Sequence, residues 1–143
     1  MTDIRSVAER YAMDVWNGGD LDAIDEIFTP DHAYHDPALP SLPPGPAGVR
    51  QRVTTYMAAF PDARVRLDEV VVAQSLVIAR WTWAGTNTGP LRGIPPTGRS
   101  AGITGIHWMR FSGDRIEETW VAADTLGLMV QLGLVELPAP VVA

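Results

Sequence analysis

The sequence predicts an α+β domain: a strongly curved, mainly antiparallel sheet wrapped around N-terminal helices, forming a cone-shaped α+β barrel with its mouth at one end. Three observations carry this. Up to Phe60 the apolar residues recur at helical spacing. Beyond Arg64 the period changes to two, in valine- and tryptophan-rich runs. The last two of these runs meet at Ser112-Gly113-Asp114, a tight turn.

Taken in order, Ile4 to Asn17 places Ile4, Val7, Ala8, Tyr11 and Val15 on one helical face, and Gly18-Gly19 closes it. Asp20 caps a second helix carrying Leu21, Ile24, Ile27 and Phe28, which Thr29-Pro30 stops. His32 to Asp36 reads as a short extended piece, with His32 solvated. Pro37 to Pro46 holds five prolines, so it is a loop, read as a flap at a pocket mouth. Ala47 to Phe60 is a third helix with Val49, Val53, Met57 and Phe60 on one face. Arg64–Ala73, Ser75–Thr86, Ala101–Phe111 and Arg115–Ala123 are strands. In the second, Val77, Ala79, Trp81 and Trp83 share a face. Asp124 to Leu132 is a closing helix ended by Gly133.

The chain of 143 residues, 46% apolar and 20% charged, suits one domain over residues 1–143 with a real core. The lack of cysteine excludes disulfides, thiolate nucleophiles and cysteine zinc sites. The N-terminus lacks a basic segment followed by an apolar one, and no run has membrane-spanning length. The expectation is a soluble cytoplasmic protein with no membrane partner. A net charge of −6 and no basic stripe argue against nucleic acid. The Gly/Pro-rich loop Thr86–Gly98 lacks the lysine and following helix of a phosphate cradle, and no G-x-S-x-G run is present.

His107 is the sharpest chemical candidate, because histidine exchanges protons near neutral pH and this one lies on a strand that otherwise reads as core. The alternative is a histidine satisfied by one core hydrogen bond, or one on the convex face. Asp124 is placed to cap the last helix, a role compatible with serving as a pocket base. Glu117 and Glu118 point to opposite faces, and Glu118 is the one left open as a pocket acid. His35, beside Asp36 at the start of the proline loop, is a further acid/base candidate. His32 and His35 lack a third ligand at metal-binding spacing, so no metal is assigned. Tyr34, Tyr56, Met57, Trp83, Met109 and Trp120 are candidates to line a ligand cavity.

These pieces together resemble the SnoaL-like polyketide cyclases, a branch of the nuclear-transport-factor-2-like fold. The resemblance rests on the order Thr86–Gly98, His107-Trp108-Met109-Arg110-Phe111, Arg115–Trp120 and Asp124–Gly133. It rests also on His35-Asp36-Pro37, the Gly-x-x-x-Val-Arg run at Gly45–Arg50, Phe60-Pro61-Asp62 and Gln131-Leu132-Gly133. It implies a deep apolar pocket lined by His107, aldol-type ring closure of a polyketide or related apolar ketone, and no cofactor or metal. The same group includes hydroxylase components that need oxygen and a reductant, and members that only bind. One departure stands out: the family's proton-shuttling aspartate falls on Val121. Another acid such as Asp124 or Glu118 then does the work, or the reaction differs, or the pocket only binds. The convex face, expected to expose residues such as Trp108 or Trp81, suggests a homodimer through the sheet.

Overall fold

The computed structural model describes residues 3–140. Helix α1 spans Ile4–Arg10, capped by the Asp3 side chain on the Arg5 N–H, and runs on as π-helical turns over Tyr11–Asn17. The wider turns bring Tyr11, Ala12 and Val15 to the core. A 3₁₀ turn at Leu21–Ala23 leads into α2, Ile24–Ile27. The sheet strands are β1 Phe28–His35, β2 Arg64–Ala73, β3 Leu76–Thr86, β4 Ser100–Ser112 and β5 Arg115–Ala123. Helix α3, Pro46–Ala59, follows β1, and α4, Thr125–Gln131, follows β5. The strand order is β1-β5-β4-β3-β2, antiparallel except for β1 on β5.

The expected α+β cone is therefore present, as a curved sheet that does not close into a barrel. Its helical side is filled by a core joining Val7, Tyr11 and Val15 of α1, Ile24 and Ile27 of α2, and Val49 and Val53 of α3 to the inward residues of β3, β4 and β5. A second core lies around Phe60, Trp81, Trp83, Ile103, Val121, Leu128 and Leu132.

Three local readings are corrected. The second helix ends a residue early, and Phe28 begins a strand. A residue before proline prefers extended backbone, and Pro30 is tolerated because β1 is an edge strand. Among the described residues the proline loop is not a free flap. Leu39 is buried, the Ala38 N–H donates to Asp36 Oδ1, and the Ala38 carbonyl accepts from Arg92 Nη1. His32 is not solvated but 1% exposed, because strand alternation turns it toward Phe28 and Tyr34. Elsewhere Asn17 guards the other sheet edge: its amide donates to the Val65 carbonyl and accepts from the Val65 N–H.

His32 Nε2 shares a 2.8 Å hydrogen bond with Thr119 Oγ1, while Nδ1 is buried without a partner. Burial, helped by the nearby His35, lowers its pKa from 6.5 to about 4. Between those values the unfolded chain binds more protons than the folded one, so stability falls as pH drops through that window. Urea unfolding should show a loss of up to about 3 kcal/mol from pH 7 to pH 4 attributable to this residue. The pH slope should be shallower in His32→Asn.

Candidate functional site

The site is centred on β4, whose residues alternate in burial along its whole length. Ala101, Ile103, Gly105, His107, Met109 and Phe111 face inward, while Ile106 and Trp108 lie exposed on the convex side. On the adjacent strand Trp81 pairs with Gly105. Gly105 has no side chain, so the Trp81 indole lies across it; a Cβ there would run into the ring. That position brings Trp81 Nε1 to 2.7 Å from His107 Nδ1. On the other side of the imidazole, Nε2 lies 2.8 Å from the Tyr34 hydroxyl, which is 3.0 Å from the Tyr11 hydroxyl.

The direction of these bonds follows from the indole, which can only donate. His107 Nδ1 must accept, so the neutral ring carries its proton on Nε2 and donates it to Tyr34. The Tyr34 O–H has no other acceptor among the described residues and so donates to Tyr11. The Tyr11 O–H then has no protein acceptor among the described residues, and it borders a cavity. Each bond polarises the next in the same sense. Protonation of His107 would set a second N–H against that of Trp81. Burial, and then the charge of Arg52, push the His107 pKa well below the ordinary range, so the ring is neutral. Burial raises the Tyr34 pKa well above 10, against the opposing pull of Arg52, so its hydroxyl keeps its proton.

The cavity measures about 60 Å³ (the space open to the centre of a water molecule). That admits a narrow ligand end, not several fused rings at once. Trp16, Tyr56, Trp81, Trp83, Ile103 and Met109 form much of its apolar wall, with Tyr11, His107, Asp36 and Arg52 as its polar groups. Asp36 is the one carboxylate among the described lining residues. Its Oδ2 accepts from Arg52 Nε at 2.8 Å, and both side chains are 6% exposed. The guanidinium lies over Trp16, Tyr34 and Tyr56, 5.5, 5.0 and 5.7 Å from the ring centroids. Burial works against this charge, but the oxygens of Tyr34, Tyr11 and Asp36 outweigh it and hold the Arg52 pKa above its ordinary value. Arg52 Nη1 and Nη2 have no acceptor among the described residues. A second cavity, of about 270 Å³, adjoins the first at Trp16, Val65 and Trp83, without the histidine or the buried ion pair.

Of the residues expected in the site, His107, Tyr56, Trp83 and Met109 line the cavity, and Tyr34 stands behind it bonded to His107. Asp124 is exposed and caps α4, Oδ1 accepting from the Gly127 N–H at 2.9 Å. Glu118, His35 and Trp120 gather outside the cavity: His35 Nε2 is 2.8 Å from Glu118 Oε2, and the His35 ring stacks on Trp120. A bulge opposite Arg110 and Phe111 takes up Glu117, which breaks the simple alternation of the two glutamates. Met57 packs on the first core and lines the second cavity. Trp81, expected as one of the convex-face residues, is buried on the concave side. Val121 sits opposite His107 in the β4–β5 ladder, 5% exposed, so the place beside the imidazole is aliphatic.

Tyr11, Asp36, Arg52 and Trp81 escaped the sequence reading as site residues. A signal existed for two of them. Arg52 interrupts an apolar helix stripe between Val49, Val53 and Tyr56. Asp36 is next to His35, and neighbours in extended chain face opposite ways. Among the described residues, no group of three or more His, Cys, Asp or Glu could hold a metal ion, and no helix is long and apolar enough to cross a membrane.

The fold is an α+β cone in which a Trp–His–Tyr–Tyr hydrogen-bonded chain adjoins a cavity. The chain belongs to the SnoaL-like polyketide cyclase family, whose family model matches residues 6–132. It is 30% identical over 120 residues to the nogalonic acid methyl ester cyclase of Streptomyces nogalater, covering 82% of this chain and 89% of the relative. The solved structure of TsrD from Streptomyces laurentii superposes with a TM-score of 0.84 at 26% identity, covering 94% of this chain and all of that one. That of IdmH from Streptomyces antibioticus, a candidate polyketide cyclase, gives 0.80 at 27%, covering 92% and 99%.

Gly105→Ala should displace the indole from His107 and free Nδ1. An NMR titration should then show the His107 pKa above that of the parent but still below the ordinary range, because burial and the charge of Arg52 remain. A pKa as low as in the parent would mean that burial and Arg52 set it without help from Trp81.

Proposed function

We propose that this protein is a cyclase acting on an apolar, ketone-bearing natural-product intermediate by acid/base, aldol-type ring closure. The observation that carries the reading is the one-way donor chain from Trp81 through His107 and Tyr34 to the free Tyr11 O–H in the cavity. A preorganised donor of this kind stabilises the negative charge that develops on a carbonyl oxygen as a carbon–carbon bond forms. His107 acts as a neutral donor, not as the base, since its one basic nitrogen is occupied by Trp81.

Aldol closure also needs a proton acceptor for the α-carbon. Asp124 is engaged as a helix cap and Glu118 lies outside, so this role passes to Asp36. Asp36 takes the α-proton, the enolate carbon attacks the second carbonyl, the new alkoxide takes the Tyr11 hydroxyl proton, and the proton held on Asp36 returns through water to the tyrosinate, which restores both groups. The ketone end occupies the narrow cavity, and the rest of the ligand extends from it. The similarity to a nogalonic acid methyl ester cyclase supports this substrate class. We also propose self-association through the convex face, where Ile106 and Trp108 are 45% and 41% exposed; light scattering should give a dimer, and a monomer would refute it.

His107→Ala should fold normally and lose most turnover of a cyclisable ketone. Tyr11→Phe, which removes only the terminal hydroxyl, should lower kcat by about 10²-fold or more with little change in KM. Unchanged turnover in both variants would overturn the assignment.

A further inference from the structure

Arg52 is charged and buried, and nothing in the donor chain just described uses it. It is bonded to Asp36 through Nε alone, and its guanidinium is held in place by three aromatic rings. That leaves Nη1 and Nη2 as donors with no protein acceptor among the described residues, on a side chain 6% exposed that lines the cavity. A buried guanidinium with unspent donors facing a ligand space is poised for a ligand oxygen.

The sign of that oxygen's charge follows from a count. With His107 neutral, the polar wall carries Arg52⁺ and Asp36⁻ and sums to zero. A ligand arriving with its own negative charge would leave a net charge in a low-dielectric site, which is costly. A neutral ketone adds none. When Asp36 accepts a proton from the α-carbon, the C–H bond breaks and its electron pair becomes the enolate. The negative charge thereby passes from the carboxylate to the ligand oxygen, and Asp36 becomes neutral. Arg52 stays charged throughout, bonded to the acid before the transfer and to the enolate oxygen after it.

We propose that Arg52 is the shared counterion of this pocket, and that the pocket therefore selects neutral, enolisable ketones and rejects carboxylates of the same size. The proposal rests on the reading of the cavity as a ketone-processing site with Asp36 as base. It adds the residue that binds the enolate and the charge class of the ligand.

The test uses acetophenone and benzoate, a ketone and an anion of similar size. Exchange of the acetophenone methyl protons in D₂O, followed by proton NMR, reads proton transfer without ring closure. The wild-type protein should accelerate the exchange, and benzoate should compete at least about tenfold more weakly than acetophenone binds. Arg52→Met should reduce exchange by about 10²-fold or more while acetophenone affinity changes little, because the lost interaction exists only with the enolate. Asp36→Asn should abolish exchange yet admit benzoate, since the wall is then positively charged. Arg52→Lys keeps the charge and covers the case in which the methionine variant does not fold; it should retain exchange within about tenfold of wild type.

Wild-type exchange rates in Arg52→Met, loss of exchange in a folded, acetophenone-binding Arg52→Lys, equal affinity for the two ligands, or no acceleration by the wild type would each overturn the proposal. Arg52-dependent exchange in a protein that closes no ring would instead leave it standing and remove the cyclase reading.

Discussion

The pocket is organised by a donor that cannot accept. Trp81 offers a single N–H, and by placing it on His107 Nδ1 it determines the tautomer of the imidazole, the direction of the bond to Tyr34 and, through Tyr34, that of the bond to Tyr11. An imidazole with a free Nδ1 would have kept a lone pair open to a proton. Here the same side chain is a buried neutral donor. The indole reaches it only because Gly105 leaves the ladder position below the ring empty. A missing side chain on β4 thus governs the tautomer of a residue two positions along.

The second constraint is the Asp36–Arg52 pair. Two charges removed from water carry a desolvation cost of several kcal/mol each before their attraction is counted, so such pairs are poor devices for stability alone. The chain mitigates the cost through the Ala38 N–H on Asp36 and the faces of Trp16, Tyr34 and Tyr56 around the guanidinium. Removing one partner would strand the other at a cost of about 3–5 kcal/mol. The arrangement ties the end of β1 to the middle of α3, so the proline loop between them is anchored at both ends. Val121, opposite His107 in the ladder, belongs to the second core and adds no charge beside the imidazole.

The convex face gathers a different set of groups. His35, Glu118, Arg110 and Trp120 interact with one another there, with Arg110 over the Trp120 ring at 5.4 Å. These residue types in isolation suit acid/base chemistry as well as those inside the cone. What separates the two sets is the parity of the strands that carry them.

Periodicity alone determined a great deal. The helical spacing before Phe60, the alternation after Arg64 and the Ser112–Asp114 turn led to the α+β cone, and period two on β4 put His107 on one face with Gly105, Met109 and Phe111. Tyr56 and Trp83 could likewise be named as cavity wall. Periodicity did not say which face is concave, since a strand pattern is unchanged when the two faces are exchanged. Nor could it locate the bulge at Glu117 or the start of β1 at Phe28, both of which depend on the partner strand. Above all, it could not join Arg52 to Asp36, or Trp81 to His107 and on to Tyr34 and Tyr11. Those contacts cross separations of 16 to 73 residues, and hydrogen-bond distance is met only after the sheet has curved around the helices. The residue types were written in the chain, while their protonation and pairing were decided by burial and by which donor reached which acceptor.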